Sequence, residues 1–150
     1  MSAVEEKLKQ MGLKLEAPKH AAGNYLGSKR IGNLLYVSAR VSDLRGEVGT
    51  DVTEAEAKKA AADTVLLLLA IIKEDIKNLD LIVGVIKMQG FIRSASEFTA
   101  QPKVLDGASE LLIILFGEKG RHARTAIGAK QLPAGATIQL DMILELAPEI

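Results

Sequence analysis

Two arginines and a histidine crowd together in the stretch Gly120-Arg121-His122-Ala123-Arg124-Thr125-Ala126-Ile127-Gly128. A guanidinium carries a planar fork of N–H donors that matches a carboxylate bidentately, a geometry an ammonium cannot reproduce. Arg124 opens a β-type run directly after an apolar helical stretch, so its side chain should stand where a helix ends and a sheet begins. Such a place is exposed enough for a ligand and rigid enough to aim a cation. Solvated charges at a strand edge look the same locally, and most surface charges are no more than that. His122 reads as a support for its neighbours rather than as a general base. Behind the motif, residues 137–146 alternate so that Thr137, Gln139, Asp141 and Glu145 share one face of a strand.

The elements that must position these groups follow from apolar periodicity. Residues 2–11 place Val4, Leu8 and Met11 at helical spacing, with glutamates early, lysines late and a stop at Gly12. Leu13, Leu15 and Ala17 alternate with Lys14 and Glu16, which predicts a brief edge strand ending at Pro18. Residues 19–30 read as loop, and Ile31 opens a strand pair, with Gly32-Asn33 as a tight turn before a strand over 34–38. Residues 43–51 are another exposed loop. Thr53 and Glu56 form a capping-box pattern that opens a long helix running to about Lys77, with Ala57, Ala60, Ala61, Thr64, Leu67, Leu68, Ile71 and Ile72 on its apolar face. A β-rich run over 81–92, apolar on both sides at its start, suits a central strand. After a polar loop, residues 104–116 form a second helix with Leu105, Ala108, Leu112, Ile113 and Phe116 as its stripe.

Helices crossing between strands predict two βαβ-like halves that pack both helices on one face of a mixed sheet. No helix remains to cover the other face, so self-association is expected. Composition narrows the function. The 150 residues suit one domain, and 48% apolar content gives it a core. Nineteen basic and nineteen acidic side chains cancel and aromatics make up 3%, which argues against nucleic acid as a partner. The absence of cysteine removes disulfides, thiol nucleophiles and thiolate metal sites, and two histidines are too few for an all-histidine zinc site. The charged amino terminus lacks a signal core and the longest apolar block, residues 65–72, is too short to span a bilayer, so a cytoplasmic protein with no membrane partner is expected.

Several segments in order carry a likeness to a known family. Gly23-Asn24-Tyr25, Gly32-Asn33-Leu34-Leu35-Tyr36-Val37-Ser38, Ala123-Arg124-Thr125 and Leu132-Pro133 resemble the motifs of the RidA/YjgF family, the reactive-intermediate (enamine/imine) deaminases once labelled translation inhibitors or endoribonucleases. The version Gly120-x-His122-Ala123-Arg124-Thr125-Ala126-Ile127-Gly128 resembles a divergent branch. The resemblance implies an α+β, chorismate-mutase-like fold: a mixed six-stranded sheet with two long helices on one face, a short N-terminal helix added here, and a homotrimer with clefts between subunits. It implies cofactor- and metal-independent hydrolysis of small enamine or imine carboxylic acids to 2-keto acids and ammonia, or capture of a small carboxylate without turnover. Ribonuclease activity is a distant third.

By the same resemblance, Arg124 binds the substrate carboxylate and Gln139 holds the hydrolytic water. Tyr25, Ser38, Ala39, Asp106, Gly107 and Ala126 line the cleft, with His122 and Asp141 behind them. Three positions depart from the family. Ala39 replaces a glycine, Ala126 a cysteine and Gln139 a glutamate, and glutamine cannot take a proton as a carboxylate does. The loop over 89–103 looks longer than in common members.

Overall fold

A computed structural model describes residues 1–19, 21 and 23–149. Along the chain come α1 (Ala3–Gln10), β1 (Ser28–Ile31), β2 (Leu34–Val41), α2 (Glu54–Ile76), β3 (Ile82–Arg93), α3 (Gln101–Phe116), β4 (Ala123–Ala129) and β5 (Ile138–Leu146). The described residues form one five-stranded sheet, ordered β1-β2-β5-β3-β4. Strands β3 and β4 are parallel and joined through α3, a complete βαβ unit. Both β2 and β3 run antiparallel to β5, which is inserted between them, so the first crossover through α2 spans a strand contributed by the far end of the chain.

Local chemistry explains the helix boundaries. The Thr53 hydroxyl accepts the Glu56 N–H at 3.1 Å while the Glu56 carboxylate accepts the Thr53 N–H at 3.0 Å, satisfying two donors that open a helix. Helix α3 starts at Gln101, three residues earlier than the apolar pattern predicts. Pro102 falls in its first turn, where a missing N–H costs nothing. Its buried line is Val104, Leu105, Ala108, Leu111, Leu112 and Leu115, while Ile113 and Phe116 are only partly covered, because α3 packs sideways on α2 as well as down on the sheet. Leu67 of α2 is likewise partly exposed, whereas Val65 and Leu69 are buried.

Two expectations are corrected. The sheet has five strands, not six, because residues 13–17 form no strand. They cross the outer side of α2, with Leu13 and Leu15 packed on the core and Lys14 and Glu16 beside Asp63, Leu67 and Ala70. Their alternation therefore reflects a chain lying across a helix rather than a sheet edge. The loop between β3 and α3 is residues 94–100, shorter than the 89–103 span, because strand and helix both extend into it.

Strand β5 shows the layer organisation most plainly. Ile138, Leu140, Met142, Leu144 and Leu146 are buried under the helices. Gln139, Asp141, Ile143 and Glu145 point to the other face, beside Tyr36 and Phe91 of the neighbouring strands. Among the described residues no helix covers that face, as expected, and Tyr36 and Ile127 on it remain nearly half exposed.

The helix layer is locked by close backbone contact. A methyl group at Gly107 of α3 would lie 2.0 Å from the Lys58 carbonyl oxygen on α2. Gly107→Ala is expected to destabilise the fold by at least about 2 kcal/mol, since the helices must separate along their whole contact. Urea unfolding would register a lower midpoint; an unchanged midpoint would mean that the contact yields freely.

Candidate functional site

Arg124 is the second residue of β4 and lies opposite Met88, whose side chain is fully buried in the row facing the helices. The guanidinium thus turns toward α3 rather than toward the open face. Its Nη1 donates to Asp106 Oδ1 at 2.8 Å and to the Ser109 hydroxyl at 3.1 Å, and Nη2 donates to the Pro102 carbonyl at 3.2 Å. Its side chain is 23% exposed and that of Asp106 is 47% exposed, so the pair sits at the rim of the molecule. Asp106 therefore occupies the place a ligand carboxylate would take on Arg124.

His122 is tied into the same cluster. Its Nδ1 lies 2.6 Å from the Gly120 carbonyl oxygen, which can only accept, so Nδ1 carries a proton. In the neutral ring Nε2 then accepts the Ser109 hydroxyl at 2.9 Å. Ser109, absent from the sequence expectations, is thus the link that couples His122 to Arg124. Ala126, two residues along β4, is packed against the core, and Gly107 lies in the α2–α3 contact, facing the Lys58 carbonyl.

The remaining expected residues gather elsewhere. Tyr25, Ser38, Ala39 and Gln139 border a cavity of about 530 Å³ at the outer end of β2, roofed by Leu67, Ala70 and Ile71 of α2. Ser38 donates its hydroxyl to the Leu26 carbonyl at 2.6 Å and its N–H to the Gly27 carbonyl at 2.9 Å, fixing the loop that carries Tyr25. Asp141 shares the open face with Gln139, two residues on, opposite Gln89. Burial pushes the Asp141 carboxyl above its usual range, against the opposing pull of Lys87.

The two groups lie far apart within one chain. Two strands separate β2 from β4, an offset of roughly 14 Å at the usual strand spacing. Arg124 and Gln139 also occupy opposite sides of the sheet, since Gln139 pairs with Phe91 while Arg124 shares the row of Met88. One chain alone does not bring the expected set together.

Arg40 is a cavity residue that the sequence pattern hides. Strict alternation from Val37 would put it on the open face with Tyr36 and Ser38. A β-bulge between Val37 and Arg40 inserts one extra residue, so that Arg40 pairs with the helix-facing Leu140. Its Nη1 donates to the Tyr25 hydroxyl at 3.0 Å and to the Ala39 carbonyl at 3.2 Å, and the guanidinium lies 5.4 Å from the Tyr25 ring centre. An arginine embedded in an apolar strand was the available signal. Among the described residues, no cluster of three or more His, Cys, Asp or Glu side chains is arranged to hold a metal ion, and no helix is long and apolar enough to cross a membrane.

Comparison with known proteins agrees with this architecture. A family model described as "YjgF/chorismate mutase-like, putative endoribonuclease" matches residues 5–146. Protein TCP17 of Trypanosoma cruzi is 35% identical over 150 residues, spanning 95% of this chain and 94% of its own. The crystal structure of Atu1372 from Agrobacterium tumefaciens, a protein of unknown function, superposes with a TM-score of 0.90 at 38% identity, over 96% of this chain and 92% of that one. RidA from an Antarctic Psychrobacter shares the fold at a TM-score of 0.57 and 22% identity, over 87% of this chain and 94% of its own.

The raised Asp141 carboxyl has a consequence for stability. A carboxyl that holds its proton more tightly when folded favours the folded state at low pH, and that contribution is lost as pH rises through the folded value. Asp141→Asn is therefore expected to raise the melting temperature at neutral pH, with the gain shrinking as pH falls into the ordinary carboxylate range. Thermal scans across pH would check this; a difference that does not vary with pH would assign the effect to something other than ionisation.

Proposed function

The chain belongs to the YjgF/chorismate mutase-like family, and from that premise we propose that it hydrolyses small enamine or imine carboxylic acids to 2-keto acids and ammonia, without a cofactor, in clefts between the subunits of a cytoplasmic homotrimer. The observation that carries this reading is the division of the residue set. Tyr25, Ser38, Ala39 and Gln139 border one cavity, while Arg124 waits on the far strand and the opposite side of the sheet. Such a set becomes one site when a second copy supplies the missing half, and the partly apolar open face offers the contact.

In this reading, Arg124 of one subunit exchanges the Asp106 carboxylate for that of the substrate, keeping a charge-assisted bond of the same kind. The Gln139 amide oxygen of the neighbouring subunit accepts a hydrogen bond from water and aims its lone pair at the imine carbon. Water adds to that carbon as the imine nitrogen takes its proton, giving a carbinolamine. Collapse of the carbinolamine forms the keto group and expels ammonia. Asp141, two residues from Gln139 on the same face, takes the part of proton shuttle in this reading. The uncatalysed hydrolysis is already easy, so positioning supplies most of what is required.

Gln139 favours one other reading. Lacking a carboxylate where the family carries one, the cleft would bind a small carboxylate and leave it unchanged. Keto-acid formation from freshly generated 2-iminopropionate separates the two. The native protein is expected to accelerate it, and Arg124→Ala to lose on the order of 10²-fold or more of that acceleration while sedimenting as the same trimer. No acceleration by a folded native trimer would sink the deaminase reading in favour of the binding one.

A further inference from the structure

The β2 cavity contains more positive charge than the reaction above uses. Lys19, Arg40 and Arg45 border it against Asp43 alone, and Lys19 already pairs with Asp43 at 2.5 Å. Arg45 donates to the Ala134 carbonyl, and no carboxylate among the described residues pairs with it or with Arg40. Arg40 is the better built of the two. One side of its guanidinium is fixed by Tyr25 and the Ala39 carbonyl, while its Nε is buried with no acceptor. A buried donor without a partner is costly, so a carboxylate that displaced the groups covering this edge would gain a bond the chain itself does not supply. The Nε–Nη2 edge is the fork that grips a carboxylate side-on. Leu67, Ala70 and Ile71 of α2 form an apolar wall, which strengthens charge pairing within the cavity.

We propose that the site takes a small dicarboxylate, one carboxylate on Arg124 of the neighbouring subunit and the second held in this cavity by Arg40, with Arg45 beside it. Two cations without a carboxylate partner beside an apolar wall suit the far anionic end of a short carbon chain, and about 530 Å³ leaves ample room for four or five carbons. Because Tyr25 and Gln139 border the same cavity, the proposal rests on the reading above for its substrate class, namely imino acids whose side chain ends in a second carboxylate. Binding of an unreactive dicarboxylate does not depend on turnover.

Titration calorimetry with succinate, butyrate and inorganic phosphate tests it. Succinate and butyrate share a four-carbon skeleton and differ by one carboxylate. Succinate is expected to bind the native protein at least about tenfold more tightly than butyrate, and Arg40→Gln to remove that preference. Arg40→Lys keeps the charge without the fork and should retain part of it, which guards against a variant that merely folds poorly. Equal affinity for succinate and butyrate, a preference that survives Arg40→Gln, or phosphate binding more tightly than succinate would each overturn the proposal. Failure of the deaminase reading appears separately, as absent turnover of 2-iminopropionate with succinate binding intact.

Discussion

Everything in this molecule depends on β5 being shared. It pairs with β2 on one side and β3 on the other, and supplies the buried row Ile138, Leu140, Met142, Leu144 and Leu146 beneath both helices. The sheet therefore closes only when the end of the chain inserts between elements formed some fifty to a hundred residues earlier. Pairings so distant in sequence make loop closure the costly part of folding. The 23-residue α2 bridges the gap that β5 fills, at a length of roughly 34 Å set by the helical rise. The same strand gives the two faces their different characters. One row is wholly apolar and sealed, whereas the other mixes Gln139, Asp141 and Glu145 with Ile143.

Much of this was legible in the sequence because it is written in local chemistry. The Thr53–Glu56 cap, the alternation of β5, the helix stop at Gly12 and the uncovered sheet face all appear as read. What was not legible depends on partners distant in the chain. Leu13, Leu15 and Ala17 alternate as a strand would, but alternation does not say whether a segment lies on a sheet or across a helix. Arg124 stands at the helix-to-sheet boundary that its motif predicts, yet the side of the sheet it occupies is set by its register with Met88. Arg40 was concealed by the bulge, since a period of two miscounts after one extra residue.

The two arginines also illustrate why position alone does not define a binding residue. Arg124 is electrostatically satisfied within its own chain, bonded to Asp106, Ser109 and the Pro102 carbonyl. A carboxylate ligand at Arg124 would have to displace the Asp106 carboxylate already in place, an exchange of equals. Arg40 has no such competitor, and its Nε lacks an acceptor. On the proposed reading, discrimination among ligands falls to the cavity with unmet bonding capacity, while Arg124 would set the orientation common to all of them.

The ends of the sheet bear on a different property. Strand β1 is an outermost strand of only four residues and carries Lys29 and Arg30. Strand β4, at the other end, has seven residues and carries Arg124 near its start. Short, charged edges resist the open-ended strand addition that leads to aggregates. The apolar patch around Tyr36, Phe91 and Ile127 lies on a face instead, where contact is limited by shape and ends once the face is covered. The chain is thus protected against fibrous growth without sealing the surface on which a finite assembly would be built.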